Sequence, residues 1–561
     1  MPSNESASQG TGDLLLPNIP SHANRQLRVI CAGAGASGIY LAYRLKKDFT
    51  DFTLDIYEKN ADIGGTWLEN RYPGCACDVP AHNYTYSFEP KWDWSANYAG
   101  SEEIYQYFSN FVDNYALREY ISCRHEVVRA EWDEEKAEWI VHIKKGNGAI
   151  FFQRCDFFIS AAGILNSWRW PAIPGLHSFN GTLLHSANWD QTVDLKGKHV
   201  GLIGNGFSHK FNQPTWVNPS MAGGGQVVYT EEEKRKYRDE KCTLLEMRKK
   251  SESLMTGAFP MFIRGSLTNA HATTHIKEEM RGKINDDALA DKLIPNFSLG
   301  CRRFTPGINY LESLTLPNVK TVYGEITRVT PEGCVTDNNE EHSLDVLICA
   351  TGFDTTFKPR FPVIGRNGKN LQDEWATDPE SYLGIAAHGF PNYFMFLGPN
   401  CPVGVGPVLI VIEAQGTYFA EVLNRWQKQD IRALEPRKEA VRDFIDHKDQ
   451  FMQNTTWTTN CQSWYKNPQT GKITALWPGS TLHYLQALSD IRYDDYCVTY
   501  LGGNRFSYLG NGFSQLELNP SADVAYYVRE TDDGTSVLKG TMSTFNTKDG
   551  AAKLMTTRKF S

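Results

Sequence analysis

The chain has 561 residues, 41% of them apolar and 12% aromatic. That is too long for a single core and predicts two or three domains with a sizeable interior. A formal charge of −8 gives no reason to expect a nucleic-acid partner, and no uninterrupted apolar run approaches the roughly 18 residues of a membrane-spanning helix. Residues 1–24 are rich in Ser, Asn, Gly and Pro, with no basic start followed by an apolar stretch. They read as a loose tail, not a secretory leader, and the protein as cytoplasmic. The twelve cysteines are scattered. Cys75 and Cys77 form a C-x-C with no second pair at zinc-ligand spacing, so the expectation is reduced thiols and no metal.

The first element is a strand, Leu27-Arg28-Val29-Ile30-Cys31-Ala32, running into Gly33-Ala34-Gly35-Ala36-Ser37-Gly38 and then a helical pattern from Ile39 to Leu45. Strand, G-x-G-x-x-G and helix in that order are a dinucleotide-binding fingerprint. Gly33 permits the tight turn, Gly35 lets a pyrophosphate approach the backbone, and Gly38 lets the helix pack on the strand. The helix N-terminus, with Ser37 in its first turn, presents free N–H groups to the phosphates. A second strand, Leu54-Asp55-Ile56-Tyr57, ends at Glu58, about 20 residues past the glycines, where a carboxylate accepts from ribose hydroxyls.

Gly64-Gly65-Thr66-Trp67, Asn70-Arg71-Tyr72-Pro73-Gly74 and Cys77-Asp78-Val79 follow, with Tyr84 and Tyr86 beyond. A loop this rich in unusual residues is expected to line a ligand. These segments resemble the FAD-binding half of the Baeyer–Villiger monooxygenases, in particular fungal members related to steroid and cyclic-ketone monooxygenases. The resemblance implies that Thr66, Trp67, Asn70, Asp78, Val79 and Tyr84 contact FAD.

Further along, Tyr107 to Leu117 has helical spacing, Val127 to Ile143 alternates like a strand pair, and Phe157-Phe158-Ile159-Ser160 is a buried strand ending in Ala161-Ala162-Gly163. Phe179 to Trp189 matches the family pattern F-x-G-x-x-x-H-x-x-x-W, with His185 expected to be structural. A second nucleotide site is expected at Val200-Gly201-Leu202-Ile203, Gly204-Asn205-Gly206-Phe207-Ser208. Here Gly204, Gly206 and Ser208 are candidate NADPH contacts. His209 stands where a third small residue belongs, and Pro214-Thr215-Trp216 arrives without the further helix and strand that relatives place before it. Asn212 and Gln213 stand where relatives carry a basic residue for the 2′-phosphate. Three readings remain open: an artefact of the gene structure, a rebuilt site, or loss of NADPH binding.

Residues 226–300 read as a charged helical insert, with Glu231 to Lys236 a solvated face. Gly300-Cys301-Arg302-Arg303 then restores the family signal. The resemblance implies that Arg303 enters the active site above the flavin, oriented by Asp78, and that Arg302 contacts the nicotinamide nucleotide. Leu344 to Gly352 resembles the strand that returns the chain to the first domain. Phe394 to Pro399, Val403 to Pro407 and Glu413 resemble the segment approaching the flavin ring, and helices are expected over about 410–450. The aromatics between Trp457 and Trp477 are core packing or a substrate wall.

The expected fold is therefore α/β: two Rossmann-type dinucleotide-binding domains with an added helical region. The expected division is a tail at 1–24, FAD domain at 25–163 and 351–514, a truncated NADP-type domain at 164–350, and an extension at 515–561. The family chemistry implies that FAD, reduced by NADPH, activates O₂ and that one oxygen is inserted beside a ketone carbonyl, and the resemblance implies a context of fungal secondary metabolism. An always-protonated guanidinium suits Arg303 to an anionic oxygen. The other reading is a flavoprotein that has lost NADPH and catalyses a redox-neutral rearrangement or another oxidation.

Overall fold

The computed structural model describes residues 18–204, 214–218, 225–303, 305–404, 406–528 and 530–531. The chain is α/β with two parallel sheets of dinucleotide-binding type. In the first, strands β1 (Leu27–Ala32), β2 (Phe52–Glu58), β3 (Ile121–Cys123), β4 (Phe157–Ser160) and a last strand, Tyr393–Met395, lie in the order Tyr393–Met395, β4, β1, β2, β3, all parallel. Helix α1 (Ala36–Asp48) crosses between β1 and β2. Its apolar residues Ile39, Leu41 and Leu45 are fully buried, in one core with Phe157, Ile159 and the long helix Val408–Lys428. A continuous apolar stripe of this kind is what drives a crossover helix onto a parallel sheet.

The second sheet is smaller. β5 (Thr182–His185), β6 (Val200–Ile203) and β7 (Val346–Cys349) run parallel in the order β5, β7, β6. The two sheets repeat one device at the start of each fingerprint. Gly33 has φ +106°, and a Cβ there would lie 2.6 Å from the Ala161 carbonyl oxygen, just past β4. Gly204 has φ +97°, and a Cβ there would lie 2.5 Å from the Ala350 carbonyl oxygen, just past β7. Both turns therefore demand glycine, and β6 and β7 correspond to β1 and β4. Among the described residues β6 has no neighbour corresponding to β2, and it leaves Leu202 63% exposed.

Several elements differ in detail from the sequence reading. The helix expected from Tyr107 begins at Ser101 and ends at Asn114, with Glu102 and Glu103 in its first turn, where the helix dipole favours acids. Glu231–Asp239 is a helix with no buried residue, opened by a Thr230–Glu233 capping box. The stretch from 410 to 450 is two helices, Val408–Lys428 and Lys438–Met452, separated by the strand Ile431–Pro436. The chain from Asn18 onward is anchored: the Ser21 amide donates to the Phe513 carbonyl at 2.8 Å and Ala23 is buried. Residues 1–17 lie outside the described residues. The expectation of uniformly reduced thiols is corrected: Cys301 and Cys461 form a disulfide across 160 residues, their Cα atoms 6.3 Å apart. No helix among the described residues is long and apolar enough to cross a membrane.

Candidate active site

The first glycine turn gathers the predicted cofactor contacts. Gly35 opens α1 without a side-chain cap, and Ser37 is buried in the first helical turn. Gly64 and Gly65, with φ +109° and +52°, stand opposite; a Cβ on Gly65 would lie 3.1 Å from the Gly35 Cα. Two glycine backbones thus face each other with no side chain between them, leaving the uncapped N–H groups of α1 approachable by a diphosphate. Gly38 is needed for packing instead, since a Cβ there would meet the Gly33 carbonyl oxygen at 2.1 Å.

Glu58 ends β2 beside this turn, 4% exposed, with Oε2 accepting from the Ala34 amide at 2.9 Å and Oε1 from the Asn60 amide at 2.8 Å. Burial pushes its carboxyl up, against the pull of those two amides. Each oxygen keeps a further lone pair for a ribose hydroxyl. Thr66 begins the short helix Thr66–Glu69, which Asn70 closes by donating to the Thr66 carbonyl at 2.9 Å. Trp67 donates to the Tyr84 hydroxyl at 3.1 Å, and their rings meet edge-on at 5.4 Å. Val79 is buried, its amide on the Cys77 sulfur at 3.4 Å. A carboxylate with open lone pairs, facing glycine turns and a partly buried Trp–Tyr pair fit a flavin dinucleotide.

Arg303 closes the site. Its Nη2 donates to Asp78 Oδ1 at 2.9 Å, its Nε donates to Asp78 Oδ2, and its Nη1 donates to the Val403 carbonyl at 3.2 Å. Three segments far apart in sequence therefore converge on one planar fork. Burial opposes the guanidinium charge, but the charge and hydrogen bonds of Asp78 outweigh it, and Arg303 titrates above its ordinary value. Tyr465, which sequence reasoning did not single out, is 1% exposed and interacts electrostatically with Arg303, while burial pushes its phenol up. No spacing signal links residue 465 to residue 303.

Arg302 does not share the Asp78 contact; like Arg303 it interacts electrostatically with Tyr465. It is 5% exposed, its Nη1 has no hydrogen-bond partner among the described residues, and burial lowers its pKa. A buried cation with an open donor fits an anionic ligand. Gly204 stands at the end of β6, whereas Gly206 and Ser208 lie outside the described residues. Glu413 does not face the first glycine turn: its carboxylate accepts from the Ser87 amide at 2.7 Å and hydroxyl at 2.6 Å, fixing the loop that carries Tyr84. His185 is structural in its contacts: it is 1% exposed, stacks on Trp168 at 4.6 Å, and accepts from the Ala187 amide at 3.1 Å. Trp457, Tyr465 and Trp477 are all buried, which makes that cluster core packing in the main.

Two dinucleotide-type sheets in one chain with a half-buried arginine–aspartate pair are the features of a nucleotide-dependent oxidoreductase. A NAD(P)-binding Rossmann-like domain is recognised over residues 31–96. The chain is 38% identical to the FAD-binding monooxygenase tazF of Aspergillus terreus, over 94% of this chain and 100% of that protein. It is 32% identical to a Baeyer–Villiger monooxygenase of Pseudomonas aeruginosa, over 82% and 89% respectively. The fold superposes on cyclohexanone monooxygenase from Rhodococcus sp. Phi1 bound to NADP+ with a TM-score of 0.72 and 27% identity, covering 85% of this chain and all of that one. The chain belongs to the FAD-binding monooxygenases of the Baeyer–Villiger family. The tazF alignment spans 565 positions yet takes in 94% of a 561-residue chain, so about 38 positions are gaps on this side.

Proposed function

We propose that this protein binds FAD at the first glycine turn and inserts one oxygen atom of O₂ beside the carbonyl of a small-molecule ketone, giving an ester or lactone, in fungal-type secondary metabolism. The observation that carries the reading is the Arg303 fork, fixed on both sides by Asp78 and by Val403. Bound FAD supplies the electron transfer and oxygen activation. The protein's own residues do the rest. Gly33, Gly35 and α1 seat the diphosphate, Glu58 orients the ribose, and Trp67, Asn70, Val79 and Tyr84 wall the remainder. Arg303 holds negative charge as it develops on oxygen, and because Asp78 has already aligned it, little reorganisation is needed in the reaction. Tyr465, buried beside Arg303, keeps water from that side of the guanidinium.

The test supplies purified protein with FAD, chemically reduced flavin, O₂ and a panel of cyclic and steroid-sized ketones. A product heavier by one oxygen atom, lost in Arg303→Ala with flavin content intact, is the expected result; ester formation at the parental rate in that variant refutes the role of Arg303.

A second reading concerns the electron source. The absence of a β2 counterpart beside β6 among the described residues, and the exposure of Leu202, favour a site that no longer uses NADPH. In that case the flavin serves a redox-neutral rearrangement or another oxidation. Anaerobic mixing with NADPH separates the two: bleaching of the flavin supports NADPH use, and persistent yellow colour supports its loss.

A further inference from the structure

The sulfur pair behind the arginines has a setting unlike that of an inert cross-link. Cys301 immediately precedes Arg302 and Arg303, and its bond to Cys461 fastens that segment to the loop Trp457–Lys466. Lys466 lies over the bond, its Nζ 3.6 Å from the Cys301 sulfur and 3.8 Å from the Cys461 sulfur. The same ammonium donates to the Cys461 carbonyl at 2.9 Å and to the Thr459 carbonyl. No carboxylate among the described residues forms an ion pair with it, and burial pushes it down to about 8. A cation against both sulfurs stabilises a departing thiolate, which is the feature that separates exchangeable disulfides from inert ones. Cys461 is 7% exposed and Cys301 has no exposure, so an attacking thiol reaches Cys461 first.

We propose that Cys301–Cys461 is a reversible redox site, opened by a dithiol reductant and closed by hydrogen peroxide, that fastens or frees the segment bearing Arg302 and Arg303. In opening, a reductant thiolate bonds to the Cys461 sulfur, the bond between the two cysteines breaks, and Cys301 leaves as a thiolate that takes a proton from Lys466. The second thiol of the reductant then closes on the mixed disulfide and releases Cys461. Two electrons and two protons pass to the protein, and the reductant departs as its own disulfide. In closing, the two thiols and one H₂O₂ give the disulfide and two waters. With the bond open, Arg303 keeps Asp78 and Val403, while the backbone on its N-terminal side loses its covalent anchor. This chemistry goes beyond the monooxygenase reading and requires neither flavin nor ketone.

The experiment treats the full-length protein with a dithiothreitol series, alkylates it, and reads the Cys301 and Cys461 peptides by mass spectrometry alongside far-UV circular dichroism. Both cysteines are expected to become alkylated together while the dichroism is unchanged, and H₂O₂ added after removal of dithiol is expected to relink them. Lys466→Gln is expected to slow opening by about tenfold, the order of effect of a neighbouring cation on thiol reactivity. Hydrogen–deuterium exchange in the peptide around 299–303 is expected to rise on reduction. A bond that opens only as the dichroism collapses overturns the proposal. So do two cysteines that peroxide fails to link, an unchanged opening rate in Lys466→Gln, or unchanged exchange around 299–303.

Discussion

Removing the carboxylate of Asp78 tests the central geometry most directly. Asp78 takes two of the three hydrogen bonds that Arg303 makes, and the side chains are 26% and 22% exposed. Hydrogen bonds to charged groups contribute about 1.5–3 kcal/mol each, and solvent reaching a quarter of each side chain reduces the pair to about 2–3 kcal/mol in all. In Asp78→Ala the guanidinium keeps one carbonyl partner and swings free. If that free energy is what aligns Arg303, oxygen transfer falls by about 30- to 160-fold, since 1.36 kcal/mol is a factor of ten. Asp78→Asn keeps an acceptor but loses the charge, and is expected to lose about tenfold. The assay measures ester formed against O₂ consumed, starting from chemically reduced enzyme, so the electron source does not enter. The missing product should reappear as hydrogen peroxide. Coupling in Asp78→Ala within twofold of the parent, with Arg303→Ala inactive, refutes the orienting role of the carboxylate.

Other expectations follow from packing and charge. Gly38→Ala forces α1 off β1 by placing a Cβ 2.1 Å from the Gly33 carbonyl; a loss of about 1–3 kcal/mol and a low ratio of flavin to protein absorbance are expected. Gly282→Ala, in the helix Leu267–Ile284 with open space around it, should instead gain up to about 1 kcal/mol in a denaturant titration. Arg248 donates to the His82 and Ser87 carbonyls and the Thr85 hydroxyl at 2.9–3.2 Å, pinning the helix Lys241–Gly257 to the loop after Asp78. Arg248→Ala should cost about 2–3 kcal/mol and expose that helix to limited proteolysis. His82 is 1% exposed, and burial pushes it down to about 4 from an ordinary value of 6.5. Below 6.5 the unfolded chain takes up a proton that the fold refuses, so this stabilisation is complete above 6.5 and is lost as pH falls toward 4. The unfolding free energy from denaturant titrations should drop by about 2 kcal/mol between pH 7 and pH 5, and less in His82→Gln.

The first nucleotide turn was legible because its requirements are local: Gly33, Gly35 and Gly38 answer to backbone geometry within a few residues, and Glu58 to the length of one strand and one helix. The pairing of Asp78 with Arg303 was not legible from spacing, because 225 residues separate them; only the resemblance joined them. Val403 and Tyr465 fall inside segments that the resemblance marks, but nothing ties either of them to Arg303, since a main-chain acceptor is present at every residue and a buried tyrosine looks like any core aromatic. Glu413 was expected in the segment nearing the flavin, yet the face of its helix turns it to Ser87. The cysteines were misread for a related reason: nothing around Cys301 or Cys461 announces a partner 160 residues away.

The correspondence between the two sheets turns the electron-supply question into a physical one. In the first sheet β1 is flanked by β2, whose last residue, Glu58, is the candidate ribose ligand. In the second, β6 pairs with β7 on one side only among the described residues. Nine residues separate Gly204 from Pro214, fewer than the ten to twelve or so that a crossover helix and its turns need. Among the described residues, a nicotinamide nucleotide docked there would find neither a helix N-terminus for its phosphates nor a Glu58 equivalent for its ribose. Arg302 is a buried cation with an open donor among them, and one guanidinium contributes about 1.5–3 kcal/mol to an anion, far from the roughly 7 kcal/mol of a ten-micromolar site. Anaerobic NADPH at millimolar concentration is therefore expected to leave the flavin yellow over minutes, while dithionite bleaches it at once. Rapid bleaching by NADPH would mean that the chain rebuilds a nucleotide site around Arg302 by means other than the β1–β2 pattern, and the argument from the missing strand would fall.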